Sequence, residues 1–287
     1  MKFVIILFML IIVVLLLRYA ERSLSYKILH FPPIKNTTPV SAWGIDYHPY
    51  RIMTQNQKSI EAILCGPENT GPLIIGIHGY ENTVEKLVPI GSFLIARGYR
   101  CLLINTRNHG ESDSDSYSTI MQYIQDLQAA INFSRELSPA NDKVILLGHS
   151  LGAVACLNVA PGETRIAAVI SIASFADMKQ QLQQTFRDNK FPTWIIPVTL
   201  RFLELAHHIS MRDFSPQYNI SRISVPLLLL HGSEDQLVAP GDFELLRSKA
   251  QRQYVTARLL AGQDHSSLLN HAEVFSALYD FLKQNNL

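Results

Sequence analysis

The feature that most constrains the fold of this chain is an alternation of short apolar runs with segments of helical periodicity. After a pair of candidate strands around the polar turn 54–57, further strand candidates follow at 73–78, 100–105, 144–147, 168–172, 227–230 and 255–260. Apolar side chains recur at helical spacing between several of them, as at Ile120, Ile124, Leu127 and Ile131. Near-continuous apolar strands separated by helices indicate an α/β fold whose mostly parallel central sheet is covered by helices on both faces.

Composition narrows the class of protein. Apolar residues make up 47% of the 287 positions and charged residues 17%, which excludes a disordered chain. The 25 Lys and Arg residues nearly balance the 24 Asp and Glu residues, so no basic surplus indicates a nucleic-acid partner. Cys65, Cys101 and Cys156 lie far apart without zinc-ligand spacing and are predicted to be buried free thiols. We therefore expect no metal and no cofactor.

The N-terminus carries an unbroken apolar run from residue 3 to residue 17, between Lys2 and Arg18. As a helix these residues span about 22 Å, and Tyr19 and Ala20 extend them toward the roughly 30 Å of a hydrocarbon core. No small-residue cleavage site follows, which favours a single-pass membrane anchor over residues 1–22; a cleaved signal segment is the alternative.

The side of the membrane is less determined. Arg18, Arg22 and Lys27 follow the run, and the positive-inside rule then favours a cytoplasmic body. Short N-terminal anchors also export the domain behind them, so both sides stay open. Residues 31–40 contain three prolines and predict an extended linker over 23–43, before a folded domain over 44–287.

The sharpest motif is Gly148-His149-Ser150-Leu151-Gly152, directly after one predicted strand and before a helix. A G-x-S-x-G sequence in this context makes a tight turn that lifts the serine hydroxyl above the sheet. The helix N-terminus behind it favours developing negative charge. Ser150 is therefore the candidate nucleophile.

A serine nucleophile needs a base that an acid orients, in the chain order Ser, Asp or Glu, His. Asp235 lies just past the strand candidate 227–230, with Glu234 as a second choice. His265 lies between the last strand and the closing helix and is the candidate base. His271 is the other downstream histidine, and periodicity predicts it to lie inside that helix.

Acyl transfer also requires two N–H donors for the oxyanion. The backbone N–H of Leu151, next to the nucleophile, supplies one. The turn His78-Gly79-Tyr80 after an earlier strand supplies the second, for which Tyr80 N–H is the candidate. His78 itself is predicted to be structural, because no partner spacing supports a metal ligand.

On these residues the chain resembles an α/β-hydrolase-fold serine hydrolase, of the membrane-anchored or exported esterase and lipase-like kind, over about residues 44–287. Residues 105–112 (NTRNHGES) resemble the family's D-x-R-G-H-G-x-S loop, with Asn105 and Asn108 in place of the usual Asp and first Gly. The resemblance implies that this loop is structural, and that residues 175–225 hold a cap inserted after the sixth strand.

The cap segment is rich in apolar residues that show no single clean face, and Pro192 and Pro197 divide it. It is either a hydrophobic lid that lines an acyl pocket or a helix packed on the sheet, since all-round apolar helices are usually buried. With the membrane segment, it favours a lipophilic ester or lipid substrate.

Three functions are compatible with these residues. Hydrolysis of a carboxylic ester or thioester through an acyl-Ser150 intermediate is the leading hypothesis. Acyl transfer would use the same triad, and a non-catalytic binding protein on this fold is the third possibility. A peptidase is less favoured, because nothing marks a subsite for a substrate amino terminus. The oligomeric state is not predicted.

Overall fold

In the computed structural model the described residues are 8, 9, 11, 12, 15, 16, 18, 19, 23 and 32–287, except 69, 70, 117, 138–141, 189, 191, 195, 207 and 208. Within this part of the chain no helix is both long and apolar enough to cross a bilayer. The predicted anchor, and the linker up to residue 31, lie largely outside the described residues.

Eight strands form one sheet. They are β1 (Tyr47–Met53), β2 (Ser59–Cys65), β3 (Leu73–Ile77), β4 (Cys101–Ile104), β5 (Val144–His149), β6 (Ile166–Ile172), β7 (Leu227–Gly232) and β8 (Val255–Leu260). Their order is β1-β2-β4-β3-β5-β6-β7-β8. β2 runs antiparallel to both β1 and β4, and the remaining neighbours are parallel. The predicted mostly parallel sheet is confirmed, and the carboxyl ends of β3 to β8 meet at one edge.

Helices cover both faces of the sheet. They are α1 (Val88–Ile95), α2 (Ile120–Leu137), α3 (Leu151–Val159), α4 (Met178–Asp188), α5 (Ile196–Ala206), the short α6 (Pro216–Asn219), α7 (Pro240–Lys249) and α8 (Ala272–Gln284). Two apolar clusters result. One lies under α2, α3 and the helices α4 and α5 of the predicted cap segment, and the other lies under α1 and α8. Cys65, Cys101 and Cys156 are buried free thiols, as predicted.

One element boundary differs from the prediction. A short 3-10 helix, Ser267–Asn270, precedes α8, and His271 adopts an extended conformation as the N-cap of α8. Apolar residues on both sides of this break share one helical period, which is why periodicity placed His271 inside the helix. The structure places it at the helix entrance instead.

The predicted linker makes specific contacts with the body. The backbone of Ile34 pairs with residues 108 and 110, Lys35 forms an ion pair with Glu111, and Thr37 and Thr38 bond to Glu85. We call residues 32–43 the strap. Because Glu85 follows β3 and residues 108–111 follow β4, the strap is held near the carboxyl edge of the sheet.

Candidate active site

Ser150 occupies a strained turn between β5 and α3. Its φ of 54° and ψ of −121° lie outside the regions that L-residues favour, and such conformations persist where the surrounding structure enforces them. Here the Ser150 N–H donates to the Ile172 carbonyl oxygen at 2.9 Å, and the Ser150 carbonyl accepts from Val154 N–H at 3.1 Å. The side chain is therefore presented at the carboxyl edge, at the start of α3.

The two flanking glycines are required by close backbone approach. A Cβ on Gly148 would lie 2.5 Å from backbone atoms of Gly152, and a Cβ on Gly152 would collide with the carbonyls of Ile77 and His78. The turn after β3 also lies close to the serine turn, because a Cβ on Gly79 would lie 3.0 Å from the Cβ of Ser150. The turn after β3 thus passes directly beside the Ser150 turn.

Asp235 and His265 meet across the loops after β7 and β8. His265 Nδ1 lies 2.7 Å from Asp235 Oδ2, while Asp235 Oδ1 accepts from the N–H groups of Leu237 at 3.0 Å and Val238 at 2.8 Å. Burial alone would raise the pKa of Asp235, but the hydrogen bonds from His265 and Val238 outweigh it and hold this pKa below its usual value. The carboxylate is therefore ionised and oriented toward His265.

Two buried histidines that sequence reasoning did not single out complete this arrangement. The Nε2–H of His149 donates to the His265 carbonyl at 2.9 Å, and the two rings lie 4.8 Å apart. His231 Nε2 donates to the Val238 carbonyl at 3.0 Å and lies 3.4 Å from Asp235 Oδ2. His149 immediately precedes Ser150, so its bond brings the His265 loop against the serine turn. The position of His149 inside the G-x-S-x-G motif was the sequence signal from which this role could have been predicted.

Glu234, the second choice for the acid, and Asp264, next to the candidate base, do not join the group. Glu234 is exposed, and its side chain has no hydrogen bond or ion pair among the described residues. Asp264 instead accepts N–H bonds from Ser266 and Ser267 and shapes its own loop. Across the described chain, no hydrogen bond joins Ser150 Oγ to His265 Nε2; catalytic hydrogen bonds of this kind often tighten only when substrate binds.

The turn His78-Gly79-Tyr80 is held from one side. The Gly79 carbonyl oxygen lies 2.7 Å from His78 Nδ1 and accepts from Tyr123 Oη at 3.1 Å. His78 Nε2 accepts from Thr106 N–H at 3.1 Å, so its Nδ1 carries the proton. Burial holds the pKa of His78 well below its usual value, which keeps the ring neutral. His78 therefore holds this turn against residue 106.

The geometry of a trans peptide then orients Tyr80 N–H. Carbonyl and N–H of one peptide unit point to opposite sides, and the structure contains no cis peptide among its described residues. With two donors on the Gly79 carbonyl, the Tyr80 N–H is directed away from His78 and Tyr123. Leu151 N–H belongs to the first turn of α3, where helical N–H groups have no partner within the helix.

The contacts and backbone of the loop 105–112 explain why Asn105 and Asn108 replace the Asp and the first Gly of the family's loop. Asn105 Nδ2 donates to the buried Glu61 carboxylate at 2.7 Å, and Asn105 Oδ1 accepts from Val84 N–H at 2.9 Å. An aspartate could not donate and would place two carboxylates together. Asn108 has a φ of 68°, which asparagine tolerates better than most residues that carry a side chain. Both asparagines therefore fit the local backbone and its neighbours.

Among the described residues, no group of three or more His, Cys, Asp and Glu side chains is arranged to hold a metal ion.

The fold and this edge of the sheet define the class of protein as an α/β-hydrolase-fold serine hydrolase. Residues 68–217, just over half of the chain, match the hydrolase family model described as serine aminopeptidase, S33, and the chain belongs to this family. The matched region contains Ser150, whereas Asp235 and His265 lie beyond it.

The chain is also similar to a curated relative and to solved structures of this fold. The chain is 25% identical over 213 residues to the uncharacterised protein YqkD of Bacillus subtilis, covering 73% of this chain and 66% of that protein, so the match spans slightly less than two thirds of the relative. A Pyrococcus furiosus esterase superposes with a TM-score of 0.73 at 20% identity, over 91% of this chain and 99% of that one. Est1E from Butyrivibrio proteoclasticus, solved with ferulic acid, gives 0.67 at 21% identity, over 82% and 98%. At these identities the structures share the fold.

Proposed function

We propose that Ser150, His265 and Asp235 form a catalytic triad that hydrolyses carboxylic ester or thioester bonds of a lipophilic substrate. The observation that carries this proposal is the 2.7 Å contact between His265 Nδ1 and Asp235 Oδ2, in a loop that His149 ties to the Ser150 turn. A buried, ionised aspartate that orients a histidine beside a strained serine is the arrangement that acyl transfer to serine requires.

The mechanism follows from these roles. Ser150 Oγ attacks the substrate carbonyl carbon while its proton passes to His265 Nε2, and Asp235 stabilises the imidazolium. The carbonyl oxygen becomes an oxyanion that accepts from Tyr80 N–H and Leu151 N–H. His265 then returns the proton to the leaving alkoxide or thiolate. Water, deprotonated by the same histidine, attacks the acyl carbon; the bond to Ser150 Oγ breaks, His265 returns the proton to Ser150 Oγ, and the acid is released.

A lipophilic substrate is supported by the apolar surroundings of the serine turn. Leu151, next to the nucleophile, belongs to the same apolar cluster as the buried side chains Phe175, Met178, Phe186, Ile196, Leu200, Leu203 and Met211 of the cap segment. Of the two interpretations of the cap, the lid that lines an acyl pocket would place these apolar side chains beside the reacting carbonyl. This favours acyl chains over small polar groups.

We also propose that residues 1–22 anchor the chain to a membrane. The sequence supports this through the uninterrupted apolar run 3–17. Among the described positions in this run, Phe8, Met9, Leu15 and Leu16 are helical and expose most of their side chains. An anchor would hold the enzyme near lipophilic esters.

The test is hydrolysis of p-nitrophenyl esters from acetate to palmitate, with Ser150→Ala as the variant. We expect kcat/KM to rise toward the longer chains, and Ser150→Ala to lower it by at least about 10³-fold, because the triad acts as a unit. Ser248→Ala, which removes an exposed hydroxyl on α7, is the matched control and should leave activity unchanged.

Other outcomes would select other functions. A maximum at acetate would contradict the lipophilic substrate but keep the esterase. Faster turnover of aminoacyl p-nitroanilides than of any ester would favour an aminopeptidase, as the family description suggests. No Ser150-dependent turnover, together with no labelling by a fluorophosphonate, would favour a binding protein. Products formed mainly by transfer to an added alcohol would favour the acyltransferase.

A further inference from the structure

Helix α5 is apolar on two opposite sides. At helical spacing Ile196, Leu200 and Leu203 share one side, and all three are buried in the cluster that also contains Leu151. Val198 and Leu205 lie on the opposite side, where they are 65% and 57% exposed. This arrangement accounts for the lack of a single apolar face in the sequence. The inner side packs on the body, whereas the outer side has no cover among the described residues.

Two further apolar side chains extend this exposed surface. Trp194, shortly before α5, is 76% exposed, and Leu237, two residues after Asp235, is 61% exposed. Leu237 adjoins the cap, because its carbonyl accepts from Gln181 of α4 at 3.1 Å. We call Trp194, Val198, Leu205 and Leu237 the cap outer face. Within the described part of 32–287, Met53 is the one other large apolar side chain that is more than half exposed.

The cap outer face and the strap belong to the same edge of the sheet. The cap follows β6, and Leu237 follows β7, so both extend from the carboxyl edge. The strap is bound there too, through Ile34 at residues 108 and 110 and through Thr37 and Thr38 at Glu85. The strap, which follows the apolar run 3–17 in the sequence, therefore binds the body at the edge of the sheet from which the cap extends.

We propose that the cap outer face rests on the lipid bilayer into which residues 3–17 insert, so that the site takes its acyl substrate from that bilayer. This inference rests on the proposed anchor and deepens the proposed function. An exposed apolar patch is typical of a protein or membrane contact, and the apolar run of the same chain favours the membrane. Arg201, beside Val198 and Leu205 on α5, is 68% exposed and forms a 3.4 Å ion pair with Glu204, and its guanidinium has the geometry to bind a phosphate headgroup as well.

Tryptophan fluorescence tests the contact directly, because the chain contains two tryptophans, Trp43 and Trp194. The full-length Trp43→Phe variant reports on Trp194 alone in phosphatidylcholine vesicles whose acyl chains are brominated or not. Trp194 should be quenched about twofold or more by bromines near the headgroups, since interfacial segments insert about 5–10 Å. The Trp194→Phe chain measures the quenching of Trp43 that results from anchoring alone.

Two results would overturn the inference. Trp194 quenched no more than Trp43, and still accessible to aqueous iodide, would mean that the cap outer face is turned to solvent. Trp194 shielded from iodide but not quenched by brominated lipid would mean that protein covers it, either a second copy or another segment of this chain.

Activity gives an independent test with a matched control. Val198→Glu and Leu205→Glu should each lower turnover of a long-chain ester embedded in vesicles about tenfold, because a carboxylate at the interface opposes insertion, and leave a soluble short ester unchanged. Met53→Glu places the same charge on an exposed apolar position at the end of β1 and should change neither. Equal vesicle activity in all three variants contradicts the inference. Absence of wild-type activity on any ester would instead contradict the proposed function, while the fluorescence result would still stand.

Discussion

The peptide unit between Gly79 and Tyr80 is held in one orientation by groups that never reach the substrate. His78 and Tyr123 both bond to the Gly79 carbonyl, and this directs the Tyr80 N–H to the other side. Tyr123 is fully buried on α2, far from Ser150 in sequence. In the proposed mechanism it is a positioning residue, which acts on the reaction through Tyr80.

Tyr123→Phe should therefore lower kcat for ester hydrolysis about tenfold, less than the 10²–10³-fold lost when an oxyanion donor is removed, with little change in KM. The lost bond is made in ground and transition states alike, but the N–H it orients is needed only in the transition state. Steady-state kinetics measure this division between kcat and KM.

Tyr99→Phe is the matched control for that experiment. Tyr99 also donates its hydroxyl to a backbone carbonyl, that of Leu287 at 3.1 Å, near the C-terminus. Both variants lose one hydrogen bond, worth about 1 kcal/mol in stability. If Tyr123→Phe changes only the melting temperature, as Tyr99→Phe is expected to do, the positioning role is wrong.

Three neighbouring strands carry buried histidines at or just after their carboxyl ends. His109 follows β4, His78 follows β3 and His149 ends β5. Burial lowers the pKa of His109 to about 4 and that of His149 to about 3, and it holds the pKa of His78 well below its usual value. All three rings are therefore neutral; His78 and His149 bond to neighbouring loops, and His109 bonds within its own loop.

Because these three buried histidines stay neutral in the folded chain, we predict that the protein loses stability in mild acid. Below an unfolded pKa of about 6.5, the unfolded chain takes up protons that the folded chain does not. The stabilisation is therefore complete above pH 6.5 and declines as the pH falls toward 4. Each histidine contributes a slope of up to about 1.4 kcal/mol per pH unit.

Urea unfolding between pH 7 and pH 5 measures this slope. His149→Gln removes one of the three buried histidines and should reduce the slope of the free energy of unfolding against pH. His48→Gln, on the exposed part of β1, should leave this slope unchanged. A free energy of unfolding that stays constant from pH 6.5 to pH 5 would contradict the prediction.

The proposed anchor, the strap and the cap together suggest how the whole molecule would meet a membrane. The strap is bound to residues 108–111 and to Glu85, near the carboxyl edge of the sheet. The edge of the sheet that holds Ser150 would then face the bilayer surface.

We predict that the full-length chain stays with membranes during alkaline carbonate extraction. Ile11→Arg combined with Leu15→Arg should release it, because each arginine at mid-membrane costs about 2.5–3.5 kcal/mol. In spheroplasts of a bacterial host, the body should be protected from added protease, as the positive-inside rule favours. Release of the unmodified chain by carbonate would contradict the anchor; digestion in intact spheroplasts would reverse the orientation.

Sequence alone was sufficient where the signal is local. Apolar runs such as β3 and β7 are buried by any parallel sheet, so their pattern predicts them without knowledge of their neighbours. The turn at Ser150 is likewise a local requirement, because Gly148 and Gly152 permit backbone contacts that no other residue allows. The order of Ser150, Asp235 and His265 along the chain also needed no structure.

Tertiary structure decided what depends on residues distant in sequence. The bond from Tyr123 to Gly79 joins positions 44 apart, and that from His149 to the His265 carbonyl joins positions 116 apart. Neither hydrogen bond produces a periodic pattern in the sequence. The sequence shows that α5 has no single apolar face, but which of its apolar sides is buried depends on the body beneath it. Hydrophobicity determines that a side chain leaves water, and packing determines against which surface it does so.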